Sequence, residues 1–161
     1  MGLIRGIITS MAEGAIKRFG ASGRANESFE DREFFQHYGF SSCPLAGAEG
    51  IIINEGNHIV MIASDDRRYR VGLKPGEVCL YTDEGDVVHL KHGKEIHVKS
   101  GGKVITEAPL VHLKTDAVTM EGYTAGQTPT VTFAANIHVD GNIEATGSII
   151  DGTGNTNHHS H

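Results

Sequence analysis

Residues 131–149 read VTFAANIHVDGNIEATGSI, and one parity runs through them without a break. Val131, Phe133, Ala135, Ile137, Val139, Gly141, Ile143, Ala145, Gly147 and Ile149 are apolar or glycine, whereas Thr132, His138, Asp140, Asn142, Glu144 and Ser148 are polar. Extended backbone points successive side chains to opposite faces, so the odd positions should share a buried side and the even ones should face water. The odd parity then continues in a different chemistry, through Asp151, Thr153, Asn155, Asn157, His159 and His161. Any interior this segment builds becomes polar and finally imidazole-lined.

The alternation extends back to about Asp86. Val88, Leu90, Ile96 and Val98 occupy even positions, and resets near Gly101-Gly102, Pro109 and residues 122–129 mark corners or loops. Short strands in one chain have no partner sheet to cover their apolar face. Three identical chains wound about one axis bury that face and leave no open sheet edge. The expected architecture of residues 86–150 is therefore a trimeric, intertwined triple-stranded β-helix forming a shaft, with an apex over 151–161.

Upstream, Leu3–Ile8 suggests a first strand, and Ser10 through Phe19 suggests a short helical turn capped by Ser10. Residues 20–31 (GASGRANESFED) hold few apolar anchors and read as a mobile loop. Gly50–Asn54 and His58–Ala63 form a hairpin around Glu55-Gly56-Asn57, and Leu73-Lys74-Pro75-Gly76 turns into a strand over Glu77–Tyr81. About five strands in some eighty residues suit a small Greek-key barrel of the oligonucleotide/oligosaccharide-binding (OB) type. The expected division is an N-terminal strand and flexible loop over 1–31 belonging to the barrel domain, an OB-like barrel over 32–85, the shaft and the apex. The fold class is all-β.

Composition agrees with that class. The 161 residues are 39% hydrophobic but 6% aromatic, with no Trp and 21 Gly, which suits many short strands around a thin core. A net charge of −6 and a pI near 5.9 provide no basic excess, so neither nucleic acid nor an anionic membrane surface is an expected partner. Cys43 and Cys79 lie far apart without a CxxC pairing and read as buried reduced thiols. In MGLIRGIITSMAEG, Arg5 interrupts the apolar run, which resembles neither a secretory core nor a membrane span, so folding in the cytoplasm is expected.

His159-Ser160-His161 is the main candidate site. An HxH pair in extended backbone points both rings the same way, and three axial copies bring six imidazole nitrogens together. Six nitrogen donors favour octahedral coordination, which makes iron a better candidate than four-coordinate zinc, with nickel or cobalt fitting the same geometry. A tag remnant or frayed tail is the bland alternative, but Ser160 interrupts the histidines and the parity links them to the preceding strands. His158 has the opposite parity. Asp151 would bring three carboxylates to the axis, a possible calcium site, although capping of the Gly152-Thr153-Gly154 turn is favoured.

His89, His92, His97, His112 and His138 mostly have outward parity and read as solvated. No Ser/His/Asp arrangement, nucleophile elbow or phosphate-binding glycine loop is visible, so no enzymatic machinery is expected. Two other readings of such a chain are a β-helical glycan hydrolase and a carbohydrate-binding module. Either would need paired acids or aromatic platforms, yet the shaft holds only Tyr123 and Phe133, the latter at buried parity.

The run YGFSSCPLAGAEG, followed by IIINEGNHIVMIASDD, then RYRVGLKPGEVCLYTDEGD and finally the terminal HxH, resembles the central tail spike, or baseplate assembly protein V, family of Mu-like contractile-tailed phages. The resemblance covers nearly the whole chain. It implies an N-terminal OB-like barrel that trimerises and leads into a triple-stranded β-helix with an iron-binding apex, His159 and His161 being the ligands. One departure is that the chain ends on the pair itself, without the few residues that usually follow. The implied function is mechanical: sheath contraction drives a stiff trimer through the host outer membrane and cuts no bond. The implied partners are two further copies, the baseplate hub and the tail tube, and the implied location is the virion's tail baseplate after assembly in the host cytoplasm.

Overall fold

The computed structural model describes residues 2–147, which contain eight β-strands and no helix. Strands β1 (Gly2–Ala12), β2 (Arg18–Ser22), β3 (Ser28–Phe34), β4 (Glu49–Glu55) and β5 (His58–Asp65) form a closed barrel in the order β1-β2-β3-β5-β4. Its closure depends on β1 being long enough to serve two neighbours. Gly2–Ile7 pairs with β4, and Ile7–Ala12 pairs with β2 across a register shift between Ile8 and Ser10. Such a shift bends a strand and lets it turn a barrel corner.

The strand expected over Leu3–Ile8 is present within β1, where Ile4, Gly6 and Ile8 point inward and Leu3, Arg5 and Ile7 outward. Inside, Ile4, Ile8, Phe19, Ala21, Phe29, Phe34, Ala48, Ile52 and Met61 form a single core that includes no buried polar side chain. The remaining seam, β3 against β5, is parallel and short: Glu33 opposes Val60, Phe34 opposes Met61, and the Phe35 N–H donates to Met61 O at 2.9 Å.

The structure corrects three sequence expectations. The helical turn over 10–19 is absent, because β1 continues to Ala12 and β2 begins at Arg18. The Glu13–Lys17 pair (2.8 Å), whose i,i+4 spacing is that of a helix, instead spans the connection between two strands. Residues 20–31 are not a loop; they contribute to β2 and β3 and bury Phe29. Gly20 and Gly23 serve close packing there, since an added Cβ would meet Ser10 Oγ at 2.5 Å and the Phe29 ring at 2.9 Å respectively. Cys43 is exposed and Cys79 half-buried, because Cys43 sits on a surface connection and Cys79 on a sheet with open faces.

A second sheet follows the barrel. Strands β6 (Val78–Tyr81), β7 (Val87–Lys91) and β8 (Glu95–Lys99) form an antiparallel meander in chain order. Gly93 (φ +84) and Lys94 (φ +64) adopt the left-handed conformation in the β7–β8 turn. The described residues up to Glu107 form one compact unit and those from Ala108 another. Among the described residues after Lys99 there is no strand.

Candidate functional site

The β6–β8 sheet is amphipathic, and its registers show how. Val78 opposes Leu90, which opposes Ile96; Leu80 opposes Val88, which opposes Val98. These six aliphatic side chains share one face, and all are exposed, from 37% at Val88 to 69% at Ile96. The other face aligns Cys79, His89 and His97 in one row and Tyr81, Val87 and Lys99 in another. Lys91 and Glu95 form an ion pair at 2.7 Å. A two-sided strand pattern therefore produces an apolar sheet face that its own chain leaves uncovered.

Further exposed apolar residues follow in the sequence. Val104 and Ile105 border a depression shared with Leu80, Val88 and Val98. In the second unit Phe133, Ile137, Val139 and Ile143, all of the odd parity, are exposed, as are Leu110 and Leu113.

Glu77 fixes where the sheet begins. Its carboxylate accepts the Lys74 N–H at 3.0 Å and the His92 N–H at 3.2 Å, and lies 3.3 Å from His89 Nε2. The turn over 74–77, the start of β6 and the end of β7 are thereby tied to one side chain that is only 7% exposed. The two backbone donors, then His89, hold its pKa down from 4.5 to about 2. His92 completes the tie with a ring nitrogen that donates to Pro75 O at 2.6 Å. No sequence motif marks Glu77. Its only signal is a carboxylate two residues after Pro75 at a strand entrance.

His89, expected to be solvated, is half-buried because it packs beside Glu77. His97, His112 and His138 are exposed as their parity suggested. His159, His161 and Asp151 lie outside the described residues. Among the described residues, no group of three or more His, Cys, Asp or Glu side chains could hold a metal ion, and no helix is long and apolar enough to cross a membrane. What the described arrangement offers is an assembly surface.

Comparison with known proteins gives this surface a context. The family model described as Bacteriophage Mu Gp45, N-terminal, matches residues 5–68, which span the barrel strands from β1 to β5. The chain is 30% identical to the baseplate puncturing device gp45 of Escherichia phage Mu, over 83% of this chain and 69% of that protein. It is also 30% identical to the Mu-like prophage FluMu protein gp45 of Haemophilus influenzae, over 84% of this chain and 72% of that one.

Proposed function

The chain belongs to the Bacteriophage Mu Gp45 family, and from that membership we propose that it is the central spike of a contractile tail, a structural baseplate protein of the virion that pierces the host outer membrane mechanically. The observation that carries this reading is the uncovered apolar face of β6–β8. Monomeric soluble proteins rarely expose contiguous apolar patches larger than a few hundred Å². Three copies about one axis would turn that face inward and pair the open edges of the sheet with neighbouring chains. The product is a homotrimer in which an OB-like barrel stands at the head of a narrow triple-stranded β-helix.

The role is load transmission and requires no catalysis. A shaft without free edges resists lateral opening, and its barrel end would seat against the baseplate hub and the tail tube. At the far end, His159 and His161 would supply six imidazole nitrogens from three chains, a donor set suited to an iron ion. The metal would tie together chain ends that otherwise fray.

Light scattering combined with elemental mass spectrometry on untagged protein tests the reading. The expected result is a trimeric mass with about one iron per three chains. His159→Ala with His161→Ala should remove the metal and leave the mass unchanged. A monomeric mass for the parent protein would overturn the proposal.

A further inference from the structure

Where the barrel meets the β6–β8 sheet there is an open cavity of about 410 Å³. Small-molecule sites span roughly 300–1,000 Å³. Three connections wall it: the β3–β4 segment around Ser41 and Ser42, the turn after β5 that carries Asp66 and Tyr69, and the β6–β7 turn at Thr82-Asp83. Each is fixed by its own bonds. Gln36 Nε2 donates to Ser42 O (3.0 Å) and Oγ (2.7 Å), and Lys17 Nζ donates to Ser42 O at 2.7 Å and Ser41 Oγ at 3.1 Å. Asp66 closes the second turn by accepting the Arg68 N–H at 3.1 Å and its Nε–H at 2.9 Å, and in the third the Thr82 N–H donates to Asp86 O at 3.1 Å. A wall formed in advance spares a ligand the cost of ordering it.

The lining selects a class of ligand. Two aromatic rings, Tyr69 and Tyr81, share the wall with the hydroxyls of Ser64 and Thr82 and with the carboxylates of Asp65, Asp66 and Asp83. Asp65 pairs with Arg70 and Asp66 with Arg68, so two of the three charges are already matched and held in place. A carboxylate has about four lone-pair sites, which leaves both of them free to accept O–H groups from a ligand. The Arg68 guanidinium also lies 5.3 Å from the centroid of the Tyr69 ring and holds it. Electron-rich ring faces suit the C–H faces of a pyranose, and hydroxyl and carboxylate oxygens suit its O–H groups. Among the described residues no basic side chain lines the cavity, so an acidic sugar would meet carboxylates without a lining cation. An organic cation would find two of those carboxylates taken.

We infer that this cavity is a binding site for a short neutral saccharide, an uncharged pyranose oligomer that stacks on Tyr69 and Tyr81 and donates its hydroxyls to the aspartates. The paired acids and aromatic platforms that the shaft lacks are thus brought together at the barrel's edge. All the lining residues belong to one chain, so the site does not depend on the trimer.

Cys43 lines the cavity and is exposed, whereas Cys79 is half-buried on the sheet, so thiol alkylation of the full-length chain carries its own reference. Peptide mapping follows both thiols during iodoacetamide treatment in the presence of N-acetylglucosamine trimer, maltotriose, galacturonic acid trimer or spermidine. At about ten times its calorimetric Kd, at least one neutral trimer should slow Cys43 alkylation by about tenfold and leave Cys79 unchanged. Tyr81→Ala should weaken that binding by roughly tenfold, the loss of one aromatic contact, while Tyr81→Phe should retain it. Protection by neither neutral trimer would overturn the site, and so would a neutral trimer whose affinity is indifferent to Tyr81→Ala. Protection by spermidine or galacturonic acid trimer in place of the neutral sugars would assign the cavity to a charged ligand and overturn the saccharide reading.

Discussion

The barrel and the distal half of the chain carry the same kinds of side chain in opposite states. Ile4, Ile8, Ile52 and Met61 are at most 4% exposed, whereas Leu90, Ile96, Ile137 and Ile143 lie between 46% and 72%. Both regions alternate along the strand, so pattern alone does not decide whether an apolar side chain finds cover within its own chain. Closure does. In the barrel β1 pairs with both β2 and β4, and every inward residue has a wall opposite; in β6–β8 the meander keeps two open edges and one bare face. The first region covers its apolar side chains within its own chain, while the second does not, and in the proposed trimer its stability should depend on protein concentration.

Leu90→Asp should break this contrast most completely. In the proposed trimer it places one carboxylate per chain in the shared interior, and the expected outcome by light scattering is a monomer with a folded barrel. An unchanged trimer would mean that this face is not the interior. Phe19→Ala acts on the other region, where Phe19 is 1% exposed, and should cost about 3–5 kcal/mol of barrel stability. The same loss should appear in the monomeric Leu90→Asp background. A loss seen only in trimers would erase the distinction between the two regions.

Acid should also separate them. Glu77 titrates at about 2 in the folded chain against 4.5 ordinarily, so its tie contributes fully above pH 4.5 and is lost as pH falls from there towards 2. The barrel core, which buries no polar or charged side chain among the described residues, has no such group to lose. Amide resonances of Lys74 and His92 should therefore shift before those of β1 and β4, and Glu77→Gln should flatten that response. Simultaneous loss in both sheets would remove Glu77 from this role. The smallest effect concerns the β7–β8 turn. Lys94 sits at φ +64, where a side chain is strained, and Lys94→Gly should stabilise the sheet by about 0.5 kcal/mol, read as a small rise in the denaturant midpoint.

The hairpin of β4 and β5 was legible in the sequence because Glu55-Gly56-Asn57 is a turn in its own right and Gly56 takes φ +58 as that turn requires. The all-β class followed from alternation and glycine content. The extent of β1–β3 was hidden by local mimicry: Glu13 and Lys17 have helical spacing, and Gly20 and Gly23 read as flexible although they permit close packing. The bare face of β6–β8 was visible as the even parity of Val88, Leu90, Ile96 and Val98. Glu77 was not, because its role comes from two backbone N–H groups and a histidine that converge only after the meander folds.

The barrel's last strand ends at Asp65, and among the described residues nothing beyond it contributes a strand to the barrel. During synthesis, at roughly 5–20 residues per second, the self-sufficient part of the chain emerges first and can close while the ribosome is still adding the rest. The distal segment, with its uncovered apolar side chains, is thus released last, already tethered to a barrel that can fold first. The order of the sequence acts as a timetable, delaying exposure of the most apolar surface until the head can already have closed.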